Sequence, residues 1–548
     1  MGMSVADAVG ALAWQALLAL ALVGSAWVAL RIAGRDRRVR SALRERFYLG
    51  VPWGSLIVLG GVLAVYLFVQ GGLNHWSDPL SIPFSAWSYS YPFGVAFSAF
   101  SHAGPDHLLG NLTTALVFAP LAEYVWGHVP EDGSEPDGAR GARSDPRVRA
   151  FVLFPLGVVG AGLATGLFSW GPVIGFSGVV FALVGFVLVR HPFLTVVALA
   201  VRSAVGTVLD ALGAPVSVVE VTPAVSPPWW YGIAIQGHAL GFLIGVLAGV
   251  VLCRRRETGT DPIALWLGTV LTTLSLSLWA VWWVRGPQTY VLYRALGVVL
   301  VFALAAAVVA ALAATDRPLW GSVTHRRVAT AALVVPLVAM CLIAIPLNLT
   351  TVDTQPREAG VDAGEYTVFY DEEVENRMFS VVDVEAFGET TGVTTSGVIV
   401  TNPKRGVWSQ QVSAATLETD GSAAVRVGGL TWSETIAVER TGWEVANGTV
   451  YAVHFETGGE RVHAFDSEPV RVDAVVDGRT ITLHSESGRF LVEVDGASAT
   501  GRVPVPEPGE ERAVGGIAIR NDEGTLIASD GATTVPIARE ETYSRTSR

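Results

Sequence analysis

The chain has 548 residues, of which 51% are hydrophobic and only 16% are charged, a composition that excludes an ordinary soluble protein of this size. Residues 351–548 contain 33 acidic against 16 basic residues, a net charge of −17, so the −12 of the whole chain leaves +5 on residues 1–350. Anionic lipid headgroups attract a basic half, and an acidic half keeps a soluble domain dispersed. We therefore expect a membrane part followed by a soluble part, and the two cysteines exclude a disulfide framework in the latter.

Apolar runs of about 20 residues, the length that crosses a hydrocarbon core as a helix, recur from the N-terminus to about Leu349. The first run is followed, not preceded, by arginines and has no small-residue cleavage site, so we interpret it as a membrane helix rather than a signal peptide. We predict ten spanning helices, at residues 8–31, 49–71, 107–127, 150–169, 172–190, 193–211, 229–252, 262–284, 290–314 and 327–349.

Arginines near the helix ends predict the orientation of these spans. They crowd three connections, within Arg31–Arg46, Arg254–Arg256 and Arg317–Arg327. The three connections alternate to the same side of the membrane, which must be the cytoplasm. The N-terminus and residues 350–548 are then expected outside, in a multi-pass protein of the cell membrane.

Beyond Leu349 the apolar residues alternate with polar ones in short stretches such as Val450–Phe455 and Arg489–Val494. Turn-forming pairs such as Asp477-Gly478 separate these stretches. The pattern predicts an all-β soluble domain, built as one sandwich or as two small ones.

Polar residues inside apolar helices are costly and tend to mark function. Here they form three groups: His102, His107 and Asn111 around the start of the third helix, Ser177 near the start of the fifth, and His238 in the outer half of the seventh. All three helices enter from outside in the predicted topology. Their polar residues therefore share one depth in the membrane.

Ser177 lies in the stretch Gly175-Phe-Ser-Gly178, where a turn leads into a helix. Backbone N–H groups at a helix N-terminus lack intrahelical partners and can bind the developing oxyanion of an acyl transfer. The alternative is that this G-x-S-G only permits close helix packing.

His238 is followed by Gly241 and Gly245, at intervals that form one flat helical face. Such a face lets another helix approach closely, and if that helix is the fifth, the imidazole can remove the proton of Ser177. The alternative for a lone histidine is a hydrogen bond to a backbone carbonyl.

His107 and Asn111 are four residues apart and share one helical face, where their N–H groups suit an oxyanion. Metal binding by His102, His107 and His238 is the competing interpretation. The H-E-x-x-H pattern is absent, so we expect no metal and no cofactor.

Three stretches of the sequence resemble the rhomboid family of intramembrane serine proteases: Ser101–Asn111, Gly175–Gly185 and Gly237–Gly245. Order, spacing and predicted topology agree with that family across about residues 49–253, its six-helix core. One departure is visible, because the family's Trp-Arg pair before the first histidine is Phe93-Gly94 here.

The resemblance implies Ser177 as nucleophile, His238 as general base, and His107 with Asn111 as oxyanion donors. It also implies that Phe181 packs beside the histidine. The supporting positions that it implies are His102, Gly175, Gly178, Phe181, Gly241 and Gly245. We expect a water-containing polar cavity at the site and substrate helices that enter laterally.

With the resemblance included, the expected fold is a polytopic α-helical membrane protein followed by an all-β domain. We divide it into an N-terminal extra helix with a basic connection (1–48), a rhomboid-like six-helix core (49–253), three additional helices (254–349) and an extracytoplasmic β-rich domain (350–548). Two sequons, Asn348-Leu-Thr350 and Asn447-Gly-Thr449, are compatible with an outside location.

Two other functions remain open at this point. A rhomboid-like pseudoprotease would bind membrane proteins without cutting them, and a transporter or channel would use the soluble domain as a sensor. The expected partners are transmembrane protein substrates and the lipid bilayer, with no nucleic acid; the sequence does not predict an oligomeric state.

Overall fold

The computed structural model of the chain describes residues 5–32, 37–129, 141–213, 215, 228–230, 233–284, 290–349, 360–376, 394–496 and 500–543. The chain forms two compact units, Met1–Thr351 and Val352–Arg548. The first is helical and the second is β-rich. The predicted succession of a helical membrane part and a separate β-rich part is thereby confirmed.

The helices of the first unit are, in chain order, α1 (Val5–Ile32), α2 (Arg37–Arg46), α3 (Trp53–Ala64), α4 (Pro92–Ser98), α5 (Pro105–Trp126), α6 (Pro146–Val148), α7 (Phe154–Phe168), α8 (Ser177–Arg190), α9 (Pro192–Gly213), α10 (Ile235–Arg255), α11 (Pro262–Ser275), α12 (Arg294–Ala313) and α13 (His325–Leu349). A π-helical turn extends α3 to Val69, and another joins α6 to α7. Short hairpins pair β1 (Trp282–Val284) with β2 (Tyr290–Leu292) and β3 (Pro318–Trp320) with β4 (Val323–Thr324).

Among the residues that the structure describes, six segments are long and apolar enough to cross a membrane: Pro105–Trp126, Pro146–Phe168, Pro192–Gly213, Ile235–Arg255, Arg294–Ala313 and His325–Leu349. Four shorter apolar helical segments accompany them, at Ala13–Ser25, Trp53–Val69, Ser177–Arg190 and Pro262–Ser275. Each of the ten predicted spans overlaps one of these ten segments.

Several predicted spans are longer than the helices they overlap, and two of them, 172–190 and 262–284, show why. The span 172–190 begins only at Ser177, because Gly171 and Gly175 adopt φ values of 75° and 127° that hold the preceding segment out of a helix. The span 262–284 ends at Ser275, and Ser277 follows with a φ of 58°. An apolar run does not distinguish a helix from an apolar turn beside it.

Helix α8 is the centre of the first unit. Eleven of its fourteen residues are buried, as expected of a helix that is surrounded by others rather than by lipid. Helices α5, α7, α9 and α10 all contact it. The residue at the N-terminus of α8 is therefore held from several sides.

Glycines bring α8 and α10 into backbone contact. A Cβ atom on Gly241 would lie 2.0 Å from the carbonyl oxygen of Gly178, and one on Gly245 would lie 1.9 Å from that of Ala182. These distances are far below van der Waals contact, so only glycine fits at either position. The spacing between the two helices is set by their backbones.

A buried carboxylate fixes α5 to the start of α3. Glu123 is fully buried and accepts hydrogen bonds from the backbone N–H groups of Gly54 and Ser55, both at 2.7 Å. His128 Nδ1 accepts from the Tyr48 N–H at 2.8 Å, so its Nε2 carries the proton that is donated to Glu123 at 2.6 Å. A carboxylate at a helix N-terminus is favourable, and this one anchors the far end of α5.

In its described ranges, the second unit contains three antiparallel sheets and one short helix, α14 (Ala414–Asp420). Its strands are β5 (Val361–Ala363), β6 (Tyr366–Glu375), β7 (Thr394–Asn402), β8 (Val407–Ser413), β9 (Ser422–Gly428), β10 (Ser433–Val445), β11 (Gly448–Thr457), β12 (Glu460–Asp466), β13 (Val470–Val476), β14 (Arg479–Glu486), β15 (Arg489–Asp495), β16 (Gly501–Pro504), β17 (Glu511–Val514), β18 (Ile517–Asp522), β19 (Thr525–Ser529) and β20 (Thr534–Glu540).

Four strands form the sheet β5-β6-β7-β8 and four form the sheet β13-β14-β15-β16. The largest sheet has the order β12-β11-β10-β20-β19-β18-β17, with β9 also paired to β10. The predicted turn pair Asp477-Gly478 joins β13 to β14, where both residues have positive φ values. Alternating apolar residues such as Ile481 and Leu483 supply the core of this unit.

Candidate active site

Ser177 is the first residue of α8. The segment before it is held by two backbone hydrogen bonds, from the Gly175 N–H to Ser98 O at 2.8 Å and from the Ala86 N–H to Val173 O at 2.9 Å. The first N–H groups of a helix have no intrahelical acceptor. The hydroxyl of Ser177 therefore lies beside backbone donors.

His238, in the first turn of α10, contacts this serine directly. Its Nε2 lies 3.0 Å from Ser177 Oγ, and its ring is stacked on that of Phe181 with centroids 4.2 Å apart and an interplanar angle of 9°. Phe181 is one turn beyond Ser177 on α8, so serine and stacking ring come from the same helix. The close contact of α8 with α10 at Gly178 and Gly241 keeps the imidazole at this distance.

His107 lies over the segment that leads to the serine. A Cβ on Gly175 would be 2.4 Å from His107 Cε1 and 2.5 Å from its Nε2. Glycine is therefore required at position 175 for two reasons. A Cβ atom would collide with the histidine ring, and a φ of 127° is a conformation that other residues rarely adopt. His102 is fully buried, and its ring meets that of His107 edge-on at 5.1 Å.

Gln70 holds the backbone of His102. It is not among the site residues predicted from the sequence. Its Oε1 accepts from the His102 N–H at 2.8 Å, and its Nε2 donates to His102 O at 2.7 Å and to Leu80 O at 3.0 Å. The residue is fully buried. A glutamine at the end of an apolar run was the signal that could have identified it.

Asn111 follows His107 by one turn on the same face of α5. Only 7% of it is exposed, and its Nδ2 has no hydrogen-bond acceptor among the residues that the structure describes. The two ring nitrogens of His102 also have no partner within the described ranges. Buried polar groups are usually paired, so the Asn111 amide N–H groups and one ring N–H of His102 are available for a transient acceptor, while the other nitrogen of a neutral imidazole is itself an acceptor.

A small cavity adjoins the serine and the histidine. Its volume is about 40 Å³, and one water needs about 10–15 Å³, so a few waters fit. The lining includes the hydroxyl-bearing residues Ser98, Thr165 and Ser169, each of which donates to a helix carbonyl. Their oxygen lone pairs can accept hydrogen bonds from water.

Helix α13 contacts the loop that connects α7 to α8. Asn348 Nδ2 donates to Ser169 O at 2.8 Å and to Leu167 O at 3.3 Å, and its Oδ1 accepts from the Gly171 N–H at 3.3 Å. The indole of Trp170 donates to Met340 O at 2.9 Å. From the sequence, Asn348 was predicted only as part of a sequon and not as a contact of this loop.

Gln236, on α10 two residues before His238, holds the same loop from the other side. Its Oε1 accepts from the Trp170 N–H at 3.0 Å, and its Nε2 donates to Phe168 O at 3.1 Å. Helix α10, which carries His238, is therefore held to the loop before Ser177 by the amide of Gln236, in addition to its glycine contacts with α8.

Arg202, in the middle of α9, was also missed. Its Nε donates to Thr114 Oγ1 on α5 at 2.9 Å.

Within the described residues, no group of three or more histidine, cysteine, aspartate or glutamate side chains could hold a metal ion.

The comparison with protein families gives one match: residues 89–255 fit the family model described as the Rhomboid domain. The matched range runs from the residues just before α4 to the end of α10 and includes Ser177 and His238. No curated protein and no solved structure gave a match.

Proposed function

Since the chain belongs to the rhomboid family through the domain at residues 89–255, we propose that it is an intramembrane serine protease. It hydrolyses peptide bonds in or near transmembrane segments of other membrane proteins. The observation that carries the proposal is the distance of 3.0 Å between His238 Nε2 and Ser177 Oγ. Both residues lie near the N-terminal ends of apolar helices: Ser177 in a shorter apolar segment and His238 in one that is long enough to cross a membrane.

In the acylation step, His238 removes the hydroxyl proton of Ser177 while Oγ attacks the scissile carbonyl carbon. The electron pair of the carbonyl moves to its oxygen, which receives hydrogen bonds from the first turn of α8 and from His107 and Asn111. His238 then gives its proton to the leaving nitrogen, and the C–N bond breaks. The substrate remains as an ester on Ser177.

In the second step, water from the cavity beside Ser177 attacks this ester. His238 takes a proton from the water and returns one to Oγ, which releases the new carboxyl end and restores the serine. The stacked ring of Phe181 keeps the imidazole in the orientation that both transfers need.

The arginine pattern supports an orientation in which the N-terminus and the second unit lie outside the cell membrane. Ser177 then lies in the outer half of the bilayer, where water can reach it. Substrates are transmembrane proteins that enter laterally, and unwinding of their helices exposes the carbonyl to be attacked.

A rhomboid-like pseudoprotease, which binds membrane proteins without cutting them, is the main alternative. The pairing of Ser177 with His238 at hydrogen-bond distance favours the protease. A transporter with an external sensor domain receives no support from these residues.

The proposal is tested by co-expression with a tagged model membrane substrate. Ser177→Ala and His238→Ala should each abolish cleavage, since each removes one partner of the proton transfer, while insertion and folding persist. Matched controls are Ser203→Ala and His325→Ala, at exposed positions away from the site. Cleavage at the wild-type rate by either active-site variant would exclude the serine protease mechanism.

A further inference from the structure

Arg202 is a charged residue at the midpoint of a membrane helix. It lies ten residues from Pro192 and eleven from Gly213, so about 15 Å of helix separates it from either end of α9. A charge in the hydrocarbon core is costly, and such residues usually have a functional partner. An arginine side chain is too short to reach the headgroups from this depth.

The contacts of Arg202 leave its charge without a counterion. Within the part of the chain that the structure describes, its guanidinium donates one hydrogen bond, to the neutral hydroxyl of Thr114 at 2.9 Å. Among the described residues Arg202 forms no salt bridge, and the carboxylate of Glu123 is already bound by Gly54, Ser55 and His128. A guanidinium has five N–H donors, so several remain for another acceptor.

The position of Thr114 places the guanidinium near the proposed oxyanion donors. His107, Asn111 and Thr114 are at intervals of four and three residues and therefore share one face of α5. Thr114 is three residues beyond Asn111, which is about 4.5 Å deeper along the helix. Arg202 is thus about one turn deeper in the membrane than Asn111.

The seam between α5 and α9 lies at an edge of the core. Helix α13 contacts α7 and α10 and clamps the loop before Ser177. In the apolar stretch of α9 only 17% of the residues are buried, against 56% in that of α5. Helix α9 therefore lies at the edge of the core that faces lipid. A substrate helix that reaches Ser177 along this seam passes Arg202.

We propose that Arg202 selects substrates that carry an acidic side chain in the transmembrane segment, deeper in the membrane than the cleavage site. The substrate carboxylate forms an ion pair with the remaining N–H groups of the Arg202 guanidinium. The pairing is favourable because the hydrocarbon core solvates neither charge. This inference deepens the proposed protease function and rests on it.

The test measures a substrate preference in each variant. Asp and its neutral isostere Asn are scanned through about two helical turns of a model substrate on the deeper side of the cleavage site. Cleavage is normalised to the amount of Ser177 that reacts with a fluorophosphonate. Wild type should prefer Asp to Asn by about tenfold at its best position, the ratio expected from one ion pair worth about 1.4 kcal/mol.

Four variants separate charge recognition from helix packing. Arg202→Gln keeps a donor for Thr114 but loses the charge, so the Asp preference should fall to about one. Arg202→Lys and Thr114→Val keep the charge, and the preference should persist in both. Arg202→Glu should reverse the preference, so that Lys is favoured over Asp.

A wild-type ratio of one at every position overturns the inference while leaving the protease intact. So does an equal loss in Arg202→Gln and Thr114→Val, which would assign Arg202 to holding α9 on α5. If no substrate is cut at all, the protease proposal fails instead. The inference is then judged by co-purification of Asp and Asn substrates with Ser177→Ala, which requires no cleavage.

Discussion

Gly175 illustrates how one residue serves two demands of the site. Its φ of 127° turns the chain into α8, and its missing Cβ leaves room for the ring of His107. Any other residue there would have to displace the histidine ring by about 1 Å and would also hold a strained backbone conformation. The position of His107 relative to Ser177 therefore depends on a residue that takes no part in the chemistry.

The oxyanion role of His107 and Asn111 gives a prediction at this scale. His107→Ala and Asn111→Ala should each lower kcat by about 100-fold with little change in KM, because an oxyanion donor acts in the transition state. Kinetics with a purified substrate measure the two constants. His75→Ala and Asn74→Ala, at exposed positions, are the controls; an equal rise of KM and fall of kcat would instead indicate a structural role.

The proposed reactive residues are easier to recognise in the sequence than the residues that hold them in place. Ser177 and His238 stand out because polar groups are rare in glycine-rich apolar runs. Gln70 and Gln236 are polar residues near the ends of apolar runs, where the sequence offers no reason to distinguish them from interfacial residues. Their roles depend on backbone carbonyls of distant loops, which no local pattern contains.

At the scale of elements, the contact between α8 and α10 gives the second prediction. Gly241→Ala should reduce cleavage by about 100-fold or more, because its Cβ would lie 2.0 Å from Gly178 O and the helices must separate by about 1 Å or more. Gly160→Ala, on α7 where an added Cβ meets nothing within 4 Å, is the matched control. Loss of fluorophosphonate labelling at Ser177 should accompany the loss of cleavage; full labelling would contradict this explanation.

The third prediction concerns α13. Asn348→Leu removes three hydrogen bonds to the loop before Ser177, so turnover should fall about tenfold or more while the protein remains inserted. Thr350→Val destroys the same sequon without changing Asn348 and should retain turnover. Asn348 is only 7% exposed, so the wild-type protein should carry no glycan there. Equal defects in the two variants, which both lack the sequon, would instead assign the effect to loss of a glycan.

The ten apolar runs were predictable because hydropathy reflects the thickness of the bilayer. The start of α8 was not, because the residues from Pro172 to Ile174 are as apolar as a helix and yet run extended. The contact of α13 with the loop before Ser177 depends on tertiary structure. From the sequence, α13 was therefore predicted only as a membrane span, with no role at the site.

At the scale of the whole molecule, the β-rich unit gives the last prediction. Deletion of residues 352–548 should leave cleavage of a generic substrate intact, because Ser177, His238 and Asn348 all lie in the first unit. Truncation after Arg255, where the family match ends, also removes α13 and should lower activity. Protease added to intact spheroplasts should digest the second unit and spare the helices; protection of that unit would contradict the proposed orientation.

The strands of the second unit were predictable from their period-two pattern, but their arrangement was not. Hairpins such as β13–β14 follow from local turn residues like Asp477-Gly478. The pairing of β10 with β20 joins segments about 100 residues apart, as in the partners Trp443 and Glu540. Nothing in either stretch specifies the other.

The backbone contact between α8 and α10 has a consequence for how the protein responds to its lipid. Protein interiors are nearly incompressible where backbones touch, so a change in bilayer thickness or temperature cannot easily alter the distance from Ser177 to His238. The seam between α5 and α9, joined by the side chain of Arg202, has no such restraint. Lipid composition would then regulate which substrates arrive and how fast, while the bond-breaking step keeps the same geometry in every membrane.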